Sequence, residues 1–368
     1  MKTLFVFIAF CMSVHANAQI RSSFSGTNQS TKLVLEKPVI KQKTKLNTTK
    51  SLENTEEYVL YRNVIRKYSW LVGQGEPISQ DVANHLPYYF RLSMKNEQGH
   101  WQHIEAMHGD TLTSSHSLSP YFINKDYDMN YADNNWYQKI NNTSQWFITS
   151  DLSGEYVAEE RAYTKEGDMI YGFIPVINDS IHITGSYNDS WGRPVDFNEV
   201  EECTYGSVVY ITYDINGCDS VIDFLDGQGL RKSNSNGVDQ ERFVYDKQLR
   251  PILSTSNNCV GDYMIDNWGN CGNCYEYSQD GSSYTITRVD QNLQPMRMPL
   301  LRASEENTYI RCKVNLDKWG REAEKIMLNE KNENDTTLSG IHRIKYYYNN
   351  YGRLISKSYY DLNGNQIK

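Results

Sequence analysis

Glycine follows Asp or Asn at a fixed distance throughout this chain. Eleven Asp/Asn-x-x-Gly tetrads begin at Asn96, Asp151, Asp189, Asp214, Asp226, Asn234, Asn258, Asp266, Asp317, Asn349 and Asp361, so 11 of the 23 glycines sit three places after an Asp or Asn. Random placement of 57 Asp and Asn among 368 residues would give about four. Such a tetrad encodes a tight turn. The side-chain oxygen accepts the backbone N–H two residues on, and glycine adopts the left-handed conformation that sends the chain back. Aromatic and β-branched residues fill the stretches between turns, which predicts hairpin after hairpin. Tyr88 to Met94 and Trp101 to Met107, on either side of Asn96-Glu97-Gln98-Gly99, read as the first of them. With 28 tyrosines, 39% hydrophobic residues and a mean hydropathy of −0.66, the composition suits half-buried strands better than a large aliphatic interior.

The turns recur in pairs. Tyr213-Asp214-Ile215-Asn216-Gly217 leads in 12 residues to Asp226-Gly227-Gln228-Gly229, and 135 residues later Tyr348-Asn349-Asn350-Tyr351-Gly352 leads in 12 to Asp361-Leu362-Asn363-Gly364. Trp-Gly turns at Asp189 to Arg193, Asp266 to Gly269 and Asp317 to Arg321 add further copies. The period is irregular, which argues for hairpins with loops of varied length rather than a strict solenoid.

Two stretches resemble the Y-x-Y-D-x-x-G-R-L pattern of Rhs-type YD repeats: Tyr346-Tyr347-Tyr348-Asn349-Asn350-Tyr351-Gly352-Arg353-Leu354, after Gly340, and Phe243-Val244-Tyr245-Asp246-Lys247-Gln248-Leu249-Arg250. Asn349 replaces Asp in the first and Leu249 replaces Gly in the second. MORN-like and WG-repeat proteins of bacterial envelopes share this grammar. The resemblance covers roughly residues 151–368 and implies a mainly β fold, with consecutive antiparallel hairpins forming an elongated curved repeat sheet. In that family such sheets bind carbohydrate or present other domains.

The N-terminus reads differently. Lys2, the apolar stretch Leu4 to Met12 and the small-residue site Ala16-Asn17-Ala18 form a secretory signal peptide over residues 1–18, with a mature start at Gln19. No later segment approaches transmembrane length. Residues 19–55 form a flexible linker rich in polar residues, in which residues 19–52 carry seven basic side chains against the single acid Glu36. The body is acidic, which argues against a nucleic-acid partner. Residues 56–150 make an α+β region: Leu60, Val64, Tyr68 and Leu71 are spaced for one face of a helix over Glu56 to Leu71, and a short helix is expected over Ser79 to His85. The hairpin repeat region is expected over 151–368.

Removal of the signal discards Cys11 and leaves six cysteines, Cys203, Cys218, Cys259, Cys271, Cys274 and Cys312. In an oxidising compartment their first reading is disulfides, with 15 pairings open. Cys271-Gly272-Asn273-Cys274 also has redox or zinc spacing, which competes with a structural disulfide. His100, His103, Glu105, His108, Asp110 and His116 form the densest set of metal or acid/base candidates, although alternation on a strand divides them between two faces. Asp126, Asp128, Asn130 and Asp133 begin like a calcium loop, but Tyr131 and Tyr137 occupy positions where that loop needs Gly and Glu. No catalytic fingerprint is present, so no catalytic residue is assigned. Trp191, Trp268 and Trp319, beside turns, are candidates for stacking on sugar rings.

These features point to an exported scaffold without enzymatic activity, residing in the periplasm, on the cell surface or in the medium, with an envelope glycan or protein as partner. The alternatives are an accessory region of a larger exported enzyme or toxin, and a hydrolase built on the His100 to Asp110 strand.

Overall fold

The computed structural model describes residues 58–113, 143–195, 208–299 apart from Ser235 and Trp268, and 305–367. The signal peptide, the linker, His116, Asp126, Asp128, Asn130, Asp133 and Cys203 lie outside the described residues.

A short strand, β1 (Val59–Tyr61), is followed by a small hairpin of β2 (Asn63–Lys67) and β3 (Trp70–Gln74). The helix expected over Glu56 to Leu71 is therefore replaced, from residue 58 on, by strands. Val59, Val64, Ile65 and Val72 are β-branched and favour extended backbone. The reversal at Tyr68 and Ser69 has positive φ at both residues, 48° and 67°, the geometry of a two-residue hairpin turn. Tyr68 and Ser69 are unusual there; tertiary bonds hold them, from Tyr68 N–H to the Gly217 carbonyl at 2.8 Å and between Ser69 Oγ and Tyr213 Oη at 2.7 Å. The second expected helix forms one turn, α1 (Gln80–Ala83), with Ser79 Oγ accepting the Val82 N–H at 3.3 Å.

From there the described chain is strand and turn, apart from a short 3-10 segment at Glu305–Asn307. β4 (Tyr89–Lys95) and β5 (Trp101–His108) form the expected hairpin, with β6 (Thr111–Leu112) on the end of β5. Then come β7 (Thr143–Ser150), β8 (Val157–Thr164), β9 (Met169–Ile177) and β10 (His182–Asn188). The regular series follows: β11 (Val208–Tyr213), β12 (Asp219–Leu225), β13 (Gln240–Tyr245), β14 (Pro251–Asn257), β15 (Gly272–Tyr277) and β16 (Ser283–Val289). It ends with β17 (Arg311–Leu316), β18 (Glu322–Leu328), β19 (Arg343–Tyr348) and β20 (Leu354–Tyr360).

Eighteen of these strands form one sheet, and β2 and β3 form their own. Pairing is antiparallel and follows the chain: β1 on β4, β4 on β5, β5 on β7, then each strand on the next as far as β20. Among the described residues β20 pairs with β19 alone, so the sheet is open. The boundary read at residues 150 and 151 falls in the turn between β7 and β8, inside this continuous sheet.

All eleven tetrads are turns. In each, the glycine N–H donates to the carbonyl of the Asp or Asn three residues earlier, and the glycine has positive φ. The same Oδ1 that accepts the N–H two residues on, as at Asp214 and Asp317, also accepts the N–H four residues on, so one carboxylate ties two backbone donors. Three further turns carry another residue at the glycine place: Leu249, Leu293 and Asn332, with φ of 60°, 58° and 65°.

The series from β11 has a regular step. First strands begin at 208, 240, 272, 311 and 343, so successive repeats are 32, 32, 39 and 32 residues long, and these four steps account for the offset of 135 seen in the sequence. Three of the repeats are tied to the one before by a tyrosine. Tyr245, Tyr277 and Tyr348 donate from Oη to the carbonyls of Asp219, Pro251 and Glu322 at 3.0, 2.9 and 2.8 Å, each 26 residues back. The arginine of the preceding turn lies over the same ring, Arg250 at 4.0 Å from the centroid of Tyr277 and Arg321 at 4.6 Å from that of Tyr348. Where the turn has Ser282 in place of arginine, the next repeat has Leu316 in place of tyrosine.

Candidate functional site

Register places alternate residues of every strand on one face of the sheet. The paired series Leu92, Ile104, Trp146 opens it, Glu160, Phe173 and Tyr187 continue it, and Ile183, Ile211, Ile222 and Glu241 lead into the repeats. We call this the inner face. Over β4 to β12 it is buried beneath the β2–β3 hairpin, in a cluster that includes Trp70, Leu71, Trp146, Tyr171, Phe173, Tyr187 and Phe224. Arg66 of the hairpin reaches into that cluster. Its Nη2 contacts both carboxylate oxygens of Glu160, at 2.7 and 2.6 Å, and Tyr171 Oη donates to Glu160 Oε1 at 3.1 Å. Glu160 is fully buried, and burial raises its pKa despite Arg66.

Over β13 to β20 the same face is half-buried and rich in tyrosine: Phe243, Tyr245, Tyr275, Tyr277, Tyr284, Tyr346, Tyr348 and Tyr359. Its apolar cluster is smaller, built on Ile286, Tyr309, Cys312, Val314, Met327, Ile341 and Ile344. Charged groups are interleaved with the rings. Tyr284 Oη donates to Glu322 Oε1 at 2.7 Å, and Glu322 pairs with Lys325 at 3.1 Å. Lys325 and Lys357 lie 5.7 and 5.6 Å from the Tyr346 centroid. Lys357 pairs with Glu306 at 3.1 Å, and Glu306 also accepts from Tyr359 Oη. Burial pushes the Tyr346 phenol up, and that of Tyr348 to about 12, so both remain neutral donors. Aromatic surface beside fixed carboxylates and ammonium groups is chemistry suited to a ligand with hydroxyls and an apolar face. Tyr-x-Tyr spacing in Tyr346 to Tyr348 carried part of this signal; the contribution of Glu306, from a separate segment, had none in sequence.

The histidine strand does not converge. His100 stacks on Trp70 at 4.4 Å, while His103, on the outer face, stacks on Phe147 at 4.2 Å and contacts Ser93 Oγ. Glu105 pairs with Arg91 at 2.6 Å, and Asp110 is exposed beyond the strand. Among the described residues, including His108, no group of three or more His, Cys, Asp or Glu is placed to hold a metal ion. Cys218, Cys259 and Cys271 carry free thiols. Burial pushes Cys271 up to about 11 and Cys218 up to about 12, which keeps both thiols protonated at neutral pH.

Of the tryptophans, Trp191 is 82% exposed on its turn. Trp319 stacks on His85 at 3.8 Å, and its carbonyl accepts from Arg62 Nη1, so it joins the N-terminal segment to the turn between β17 and β18. Trp268 lies outside the described residues.

No protein-family model and no curated protein matches the chain. Several solved structures share limited similarity with it, among them two that contain TccC3. One is a Tc holotoxin pore of Photorhabdus luminescens carrying a TccC3 mutation, 11% identical with a TM-score of 0.26, the match covering 76% of this chain and 11% of that one. The other is a complex of TcdB2, TccC3 and Cdc42, 12% identical with a TM-score of 0.17, covering 74% and 16%. The chain thus spans a small fraction of the length of either, and scores this low establish no shared function.

Proposed function

We propose that this chain is an exported, non-catalytic interaction scaffold, and that the tyrosine-rich inner face of β13–β20 binds an envelope polysaccharide. One observation carries the reading: the face that the β2–β3 hairpin buries over β4–β12 is left half-buried over β13–β20, where its rings are flanked by Glu306, Glu322, Lys325 and Lys357. Stacking on a sugar ring uses the faces of the tyrosines, and the carboxylates and ammonium groups orient its hydroxyls. Trp191, exposed on its turn, offers a second contact. Export follows from the signal-peptide reading of residues 1–18.

The test is retention of the mature chain on insoluble envelope polysaccharide. Tyr359→Ala and Tyr284→Ala should each reduce retention about tenfold, which is a loss of roughly 1.4 kcal/mol, whereas Tyr359→Phe keeps the ring and most of the binding. Absence of retention on every envelope glycan fraction, with the far-UV spectrum of a folded sheet intact, would overturn the proposal.

A further inference from the structure

The outer edge of β20 carries the groups by which each inner repeat receives the next. Tyr359 O accepts the Ile367 N–H at 2.8 Å on that edge, whereas Tyr360 O accepts the His342 N–H at 2.9 Å on the β19 side. Alternation therefore directs the N–H and C=O of Lys357 outward. Its counterparts one and several repeats earlier, Lys325 and Ser254, face Ile344 and Asn273 of the following strand. Ser356, Lys357 and Ser358 have no strand opposite them on that side among the described residues.

Two side-chain features complete the match. Leu354 begins β20 as Asp219, Pro251 and Glu322 begin β12, β14 and β18, so its carbonyl stands where theirs accept a tyrosine Oη. Arg353 follows its turn as Arg250 and Arg321 follow theirs, and those two lie over the tyrosine of the next repeat. Arg353 is exposed, and Asn349 gives it no carboxylate to pair with. Leu354 and Ile355 are 42% and 66% exposed on this strand. An edge that no strand covers among the described residues is a template for another strand.

We infer that the outer edge of β20 binds, by strand addition, a Tyr-x-Tyr-Asp/Asn strand of a partner polypeptide, with the partner's second tyrosine donating to the Leu354 carbonyl beneath Arg353. The recognition chemistry is that of the junctions inside the chain, main-chain bonds for affinity and the tyrosine for register.

The probe is a labelled synthetic peptide copying residues 343–353, titrated into the mature full chain. Saturable binding is expected. Lys357→Pro removes the outward N–H without touching a bond to β19 and should weaken binding at least tenfold, while Lys357→Ala should leave it within about twofold. Arg353→Ala, and a peptide whose third tyrosine is phenylalanine, should each weaken it several-fold. No saturation up to about 1 mM peptide overturns the inference, as does binding indifferent to Lys357→Pro in a variant that melts normally. Concentration-dependent self-association abolished by Lys357→Pro would overturn it in another way, by assigning the edge to a second copy.

Discussion

The first and second halves of this sheet share turns, pairing and direction, yet their interiors differ. Over β4–β12 the inner face packs under the β2–β3 hairpin, and Trp146, Tyr171, Phe173, Tyr187 and Phe224 are removed from solvent. Over β13–β20 the same face keeps half-buried tyrosines, and Tyr277 and Tyr348 each tie their repeat to the preceding one by a phenol on a carbonyl, with a guanidinium on the ring. Turn chemistry sets the ladder in both. What covers the ladder decides whether the interior is a packed core holding a buried ion pair or a row of polar ties.

The sharpest way to break that contrast is to strike the covered half at its charge. Arg66 is 5% and Glu160 0% exposed, and Arg66→Ala leaves a carboxylate buried without its cation. A loss of about 3–5 kcal/mol is expected. In urea unfolding, fluorescence from Trp70 and Trp146 should shift to lower denaturant well before the tyrosine-rich half unfolds. The double variant Arg66→Met, Glu160→Leu should recover most of the loss, because it removes both charges. A single transition shifted equally for both halves would show that the cover and the repeats are one cooperative unit.

Proton linkage distinguishes the halves less strongly. Burial raises Asp219 to about 7, with Asp214 adding to the rise and Arg66 opposing it, and Asp219 Oδ1 has no hydrogen-bond partner among the described residues. Glu241, first strand of the next repeat, is also raised to about 7 by burial and by Asp266. Both folded values lie above those of the unfolded chain. Each therefore contributes stability that is complete below about pH 4 and is lost as pH rises through about 7, a few kcal/mol at most. Asp219→Asn should flatten this fall for the covered half and Glu241→Gln for the open half, as read from urea midpoints at pH 5 and pH 8. Unchanged slopes would mean that water reaches both carboxylates.

The ties between repeats are weaker one by one. Tyr245→Phe, Tyr277→Phe and Tyr348→Phe each keep the ring under its neighbours and delete one hydrogen bond, for a loss of about 1 kcal/mol. The corresponding change at Tyr213, bonded to Ser69 of the hairpin, should cost at least as much, since that partner is buried. Thermal melts of the four variants would rank them.

Much of this was legible because turns are local. Asp and Asn three places before glycine identified eleven reversals, and the hairpin of β4 and β5 followed from residue pattern alone. The β2–β3 hairpin was not legible: Leu60, Val64, Tyr68 and Leu71 fall at helical spacing, and the turn at Tyr68–Ser69 is held by Gly217 and Tyr213, about 150 residues away in the chain. The inner-face site was half visible. Tyr-x-Tyr runs are plain in the sequence, but Glu306 reaches Lys357 and Tyr359 from another segment. The ties between repeats were hidden for a similar reason, since loops lengthen the third step from 32 to 39 residues and obscure the period.

The smallest expected effect concerns the turns that both halves share. Leu293 occupies the glycine place of the turn after β16 at φ 58°, a conformation that costs a side-chain-bearing residue roughly 1–2 kcal/mol. The turn itself is intact: Leu293 N–H donates to the Asp290 carbonyl at 2.9 Å, and Asp290 Oδ1 accepts from Asn292 and Gln294. Leu293→Gly removes the strain but adds freedom to the unfolded chain, so a net gain of about 0.5–1 kcal/mol is expected. The reverse experiment uses Gly229, at φ 77°, where an added Cβ meets nothing within 4 Å, so that Gly229→Ala isolates the conformational cost at about 1 kcal/mol. A calorimetric melt in which the first variant rises and the second falls by similar amounts would assign the difference between the halves to their cover alone. If Leu293→Gly instead lowers the melting temperature, leucine packing at this turn outweighs its strain, and the turns themselves differ between the halves.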